Sequence, residues 1–113
     1  MEVIDQNVAD IVRLSVNAKY KEMCYPAYRL YIDGFLMTER TYILDYKGSG
    51  KILEHSPIVL QNSNEIDIRI EWLDHYPPVF EYNVTVHDLK FRKIQEVQEQ
   101  FNEKEYTAKV IIK

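Results

Sequence analysis

The sequence predicts an all-β protein built as a single antiparallel sandwich, on three observations. An Asp-Gly pair, Asp33-Gly34, sits between two apolar-rich runs; apolar and polar residues alternate with period two in six runs; and turn-forming residues separate those runs at close spacing. A two-residue type I′ turn needs positive φ at both central positions, which Asp tolerates and Gly adopts freely, so Asp33-Gly34 marks a β-hairpin. Alternation with period two places one set of side chains on a core face and the other toward solvent. Many short strands with turns between them suit an immunoglobulin-like or jelly-roll-like sandwich.

Taken in order, Val12, Leu14 and Val16 alternate with Arg13, Ser15 and Asn17 and predict a first strand near 10–18. The hairpin supplies the second and third, 27–33 and 35–45, with Tyr28, Leu30 and Ile32 facing away from Arg29, Tyr31 and Asp33. Gly48-Ser49-Gly50 reads as a turn, and a fourth run, 52–60, leads into the polar Asn62-Ser63-Asn64. Ile66, Ile68, Ile70 and Trp72 then alternate with Asp67, Arg69, Glu71 and Leu73, the most regular strand of the sequence. Pro77-Pro78 breaks the chain before a sixth strand carrying Phe80, Tyr82, Val84 and Val86. Leu89 and Phe91 fall out of phase with these, which predicts a bulge near Asp88.

Two forms fit the final third. Ile94, Val97 and Phe101 are spaced for one face of a short helix over 93–105, in a segment rich in Gln, Glu and Lys. Alternatively, Asn102-Glu103-Lys104-Glu105 is a hairpin loop between an extended strand and a last strand over 106–112. The second form is favoured because Tyr106, Ala108, Val110 and Ile112 alternate and a strand of that length needs a neighbour. The 113 residues make one domain, with 93–113 either a C-terminal arm or this final hairpin.

Charge and composition narrow the function classes. The formal net charge of −4 arises from acids and bases interspersed along the chain, and no basic block is present to displace counterions from a phosphate backbone, so direct nucleic-acid binding is not expected. One cysteine, Cys24, cannot form an internal disulfide. Met1-Glu2-Val3-Ile4-Asp5 has neither the basic start nor the apolar run of a signal peptide, and no apolar stretch approaches the ~20 residues that span a bilayer. A chain outside the membrane, in a reducing compartment, is expected.

The chemical motifs do not assemble into a catalytic site. Gly48-Ser49-Gly50-Lys51 resembles the end of a phosphate loop, but Asp45 stands where the first Gly is needed and Ile52 where a Mg²⁺-binding Ser or Thr is needed. His55, His75 and His87 show no metal-ligand spacing. Asp67 and Glu71 share a face with Arg69 between them, which would hold one carboxylate ionised where a general acid must be protonated. Asp45 and Asp74 lie in loops but lack a dense D-x-D calcium pattern, and Cys24 has no basic neighbour to activate it. Asn83-Val84-Thr85 matches a glycosylation acceptor but falls within a strand. No enzyme activity, cofactor or metal is expected.

Strand direction offers a better guide. If successive strands alternate, the segments 19–26, 46–51 and 74–78 emerge at one end of the sandwich, and Asp33-Gly34 and Asn62-Ser63-Asn64 close the other. The first end would gather Tyr20, Tyr25, Tyr46, His75 and Tyr76, which are the expected interaction surface. Tyrosine gives large contact area with few rotamers to freeze and a hydrogen-bonding tip.

The phrase Tyr28 to Tyr42, Y-R-L-Y-I-D-G-F-L-M-T-E-R-T-Y, resembles small β-sandwich virion structural proteins of tailed bacteriophages, in which a strand, an Asp-Gly or Asp-Asp turn and a Leu-x-Thr-Glu-Arg-Thr strand follow one another. The resemblance implies a non-enzymatic capsid auxiliary, neck or tail component, assembled in the host cytoplasm into the virion. Its implied partners are other virion proteins, and its implied state a homo-oligomer or ordered array. Thr38, Glu39, Arg40 and Thr41 carry over with a structural role only. A different class of reading is a carbohydrate-binding module-like sandwich using loop tyrosines. Trp72 is a poor sugar platform, because it falls in phase with Ile66, Ile68 and Ile70.

Overall fold

The alternating pattern becomes eight antiparallel strands among the described residues of a computed structural model, which are 10–21, 26–41, 49–58, 64–73, 79–90 and 92–113. In chain order they are β1 (Asp10–Tyr20), β2 (Ala27–Ile32), β3 (Phe35–Thr41), β4 (Ser49–Ile58), β5 (Glu65–Trp72), β6 (Val79–Leu89), β7 (Ile94–Phe101) and β8 (Glu105–Ile112). One sheet has the order β4-β1-β6 and the other β3-β2-β5-β8-β7. The described residues contain no helix.

The two sheets enclose one core. Val12, Leu14, Val16 and Ala18 of β1 meet Tyr28, Leu30 and Ile32 of β2, Ile66, Ile68 and Ile70 of β5, and Tyr106 and Val110 of β8. Burial of each large apolar side chain contributes about 1.5–3 kcal/mol, so the in-phase positions of the central strands supply most of the driving force.

Asp33 and Gly34 have φ of 52° and 86°, the geometry of a type I′ turn. The Asp33 N–H donates to the Asp67 carbonyl at 2.8 Å, and the Asp67 N–H donates to Asp33 Oδ1 at 2.9 Å, so the turn is tied to β5 as well. A Cβ at Gly34 would meet nothing within 4 Å, which leaves the positive φ as the whole cost of a side chain there. Gly34→Val should therefore lower stability by about 1–3 kcal/mol. An unchanged urea midpoint in that variant would remove the turn from the forces that set the fold.

Three local features differ from, or sharpen, the sequence reading. β3 is described as far as Thr41, and the rest of its expected range, 42–45, lies outside the described residues; Ser49 and Gly50 belong to β4, opposite Lys19 and Ala18, where a turn was expected. In β6, Leu14 stands opposite Val86 but Arg13 opposite Asp88, which makes His87 the extra residue of the expected bulge. The segment over 93–105 is not a helix: β7 pairs along β8 and completes the final hairpin. Its helix-like spacing has two causes. A register shift between Ile94 and Glu96 breaks the phase, and Glu99 occupies the same-face position between Val97 and Phe101. β8 lies between β5 and β7, so 93–113 is part of the sheet and not a projecting arm.

Candidate interaction surfaces

The sandwich has an open side where the edge strands β3 and β4 face each other, and a polar clasp closes it. Glu54 points inward from β4 and is 3% exposed. It accepts hydrogen bonds from the Tyr28 hydroxyl, from Arg40 Nε at 2.8 Å and from Arg40 Nη2 at 3.1 Å. The two guanidinium bonds give the paired, directional contact that arginine makes with a carboxylate. Hydrogen bonding to Glu54 is also the main reason the Arg40 pKa is raised above its ordinary value. Inward-pointing charges on edge strands also discourage strand addition from another molecule.

Arg40 lies in the Thr-Glu-Arg-Thr phrase and was expected to be structural, whereas Glu54 drew no attention in the sequence. Local spacing could not single it out, because Ile52 and Leu53 are adjacent and both apolar; the structure shows Ile52, Glu54 and Ser56 buried in one phase and Leu53, in the other, 57% exposed. Removing the cation alone strands a buried carboxylate. Arg40→Met should cost about 2–3 kcal/mol, and adding Glu54→Leu should restore part of it by removing the unpaired charge. Additive losses from the two substitutions would show that the clasp does not act as a unit.

The opposite side, between the edge strands β6 and β7, is closed by aromatic rings. The Tyr82 hydroxyl donates to the Asn102 carbonyl at 2.8 Å, and its ring meets Phe101 edge-on at 6.0 Å. Burial pushes the Tyr82 hydroxyl up to about 12, and burial with a hydrogen bond to Glu99 raises Tyr106 as well. Both remain neutral donors at physiological pH.

Of the expected interaction residues, Tyr25, Tyr46, His75 and Tyr76 lie outside the described residues. Tyr20 is described and is a core side chain, 3% exposed, which corrects its expected place on a contact surface. It falls in phase with Val16 and Ala18, so the inner face of β1 simply runs to the strand's end. The strand ends flanking the three expected segments do converge, with Lys19 opposite Ser49 and Tyr20 opposite Val79.

Among the described residues the exposed large apolar side chains are Leu53 on β4, Phe101 on β7, and Phe35 and Leu36 side by side in sequence after the β2–β3 turn. Phe35 is 73% and Leu36 53% exposed, at the start of a strand that has no outer neighbour among the described residues. Glu39 and Arg40 guard the other half of that strand through ion pairs to Arg29 and Glu54.

A second feature is a groove of about 700 Å³ on the outer face of the five-stranded sheet. Register explains its lining. Tyr31, Arg69, Thr107 and Gln100 stand side by side across β2, β5, β8 and β7, and Asp67, Lys109 and Gln98 form the adjoining row. The Arg69 guanidinium lies 4.3 Å from the centre of the Tyr31 ring and 3.9 Å from Glu105. These are the partners of Arg69 on this face, where Asp67 or Glu71 was expected.

On the outer face of the other sheet, His87 Nε2 is 3.1 Å from the buried Ser15 hydroxyl. β1 is hydrogen-bonded to strands on both sides, so the ladder occupies the backbone N–H groups that an oxyanion would need. Among the described residues, no group of three His, Cys, Asp or Glu side chains is placed to hold a metal ion. Cys24, Asp45 and Asp74 lie outside the described residues.

No family model matches this sequence, and no curated protein or solved structure matches it significantly.

Proposed function

We propose that the chain is a non-enzymatic structural protein of a tailed-phage virion, a capsid auxiliary, neck or tail component that works by protein contacts. The observation that carries this reading is the exposure of Phe35 and Leu36, one on each face of β3, where the hairpin adjoins an open strand edge. Large apolar side chains left in water on both faces of an edge strand are costly and gain by being covered. The resemblance of Tyr28 to Tyr42 to phage virion proteins falls on the same hairpin, so the recognisable phrase and the exposed apolar tip coincide. Partners on this reading are further copies of the chain or other virion proteins, assembled in the host cytoplasm.

The test uses the full chain. The wild type should associate in a concentration-dependent way in sedimentation or co-purify with assembled particles. Phe35→Ser with Leu36→Ser should weaken that association by about tenfold or more while changing stability by no more than about 0.5 kcal/mol. A wild-type chain that stays monomeric and is absent from particles would overturn the proposal.

A further inference from the structure

We propose that the groove on the outer face of β2, β5, β8 and β7 binds an uncharged oligosaccharide. This inference does not depend on the virion reading or on the loop tyrosines, because every residue it uses stands on a strand or the β2–β3 turn.

Size is the first argument. At about 700 Å³ the groove falls within the range of small-molecule sites, roughly 300–1,000 Å³. Chemistry is the second. Gln100 offers an amide that both donates and accepts, Gln98 offers its amide oxygen and the one N–H it does not donate to Glu96, Thr107 offers a hydroxyl, and Asp67 accepts. A sugar hydroxyl also donates and accepts, so vicinal hydroxyls match such a mixed row, whereas an anion would want donors alone. The aliphatic stems of Arg69 and Lys109 and the part of the Tyr31 ring not covered by the Arg69 guanidinium supply apolar surface between these polar tips, suited to the C–H face of a pyranose.

Charge is the third argument and decides against an ionic ligand. Within the outward rows Asp67 stands opposite Lys109 and near Arg69, while Glu99 borders the groove but turns its carboxylate to Tyr106. Both cations are also engaged, Arg69 with Glu105 at 3.9 Å and Lys109 with Glu65 at 3.7 Å. No uncompensated positive field remains to favour a phosphate, sulfate or sialic acid. Finally, the polar side chains are carried by paired strands, so the row is pre-organised.

The experiment applies the full-length protein to an array of neutral, sialylated and sulfated glycans and measures affinity for the best ligand by calorimetry. Binding to one or more neutral glycans is expected. Gln98→Ala and Gln100→Ala should each weaken it by about three- to tenfold without shifting the melting temperature. Leu53→Ala, on the other sheet, should leave it unchanged. Absence of neutral ligands, binding confined to anionic glycans, or full affinity in both glutamine variants would overturn the inference.

Discussion

Deletion of Tyr106–Lys113 is expected to abolish folding. The deleted stretch is all of β8 but Glu105; β8 pairs with β5 on one side and β7 on the other, and β7 has no other strand neighbour among the described residues. Loss of β8 therefore unpairs a second strand and cuts β5 back to an edge. It also removes Tyr106, Ala108, Val110 and Ile112, all core side chains. Burial of the three larger ones is worth about 1.5–3 kcal/mol each, which is comparable with the whole stability of a domain, about 5–15 kcal/mol. The truncated chain should show collapsed amide dispersion in a ¹H–¹⁵N spectrum and no cooperative unfolding transition. Dispersed resonances with an intact transition would mean that 106–113 is dispensable, as a projecting arm would be.

Trp72→Ala is expected to destabilise the protein by about 3–5 kcal/mol. Trp72 ends β5 and is buried, in phase with Ile66, Ile68 and Ile70. Its ring lies edge-on to Tyr28 at 5.3 Å within its own sheet and edge-on to Tyr82 at 5.4 Å across the sandwich. Edge-on aromatic pairs add about 0.5–1.5 kcal/mol beyond the area they bury. Because the chain has one tryptophan, its fluorescence reports this site alone. The wild-type emission should be blue-shifted and resist iodide, and urea titration followed by circular dichroism should give the loss in the variant. Emission that iodide quenches freely would place the ring in solvent and revive it as a sugar platform.

Trp72 also shows why much of the fold was legible. Alternation is a local property of an extended chain, so the core faces of β1, β2, β5 and β8 could be read from their spacing alone. The hairpin was legible for a related reason: positive φ is a property of Asp33 and Gly34 themselves. Where phase was broken, reading became ambiguous. The register shift after Ile94 made β7 resemble a helix face, and only its pairing with β8 settles the matter.

The surfaces were less legible, for a different reason. Glu54 matters because β4 and β3 are edges on the same side of the sandwich, which brings Arg40 and Tyr28 to its carboxylate. Tyr31, Arg69, Thr107 and Gln100 form one row because β2, β5, β8 and β7 are neighbours in that order. Neither relation leaves a trace in local spacing. Tyr20 failed as a surface residue because the inner phase of β1 continues to its last position.

The sequence by itself determined the strand class, the hairpin, the bulge in β6 and which side chains of each regular strand share a face, since these follow from backbone geometry over a few residues. Only the tertiary structure decided which strands are neighbours, which edges are clasped and which outward side chains adjoin. Those depend on long-range pairing and on how two sheets of unequal width cover each other, which no local period encodes.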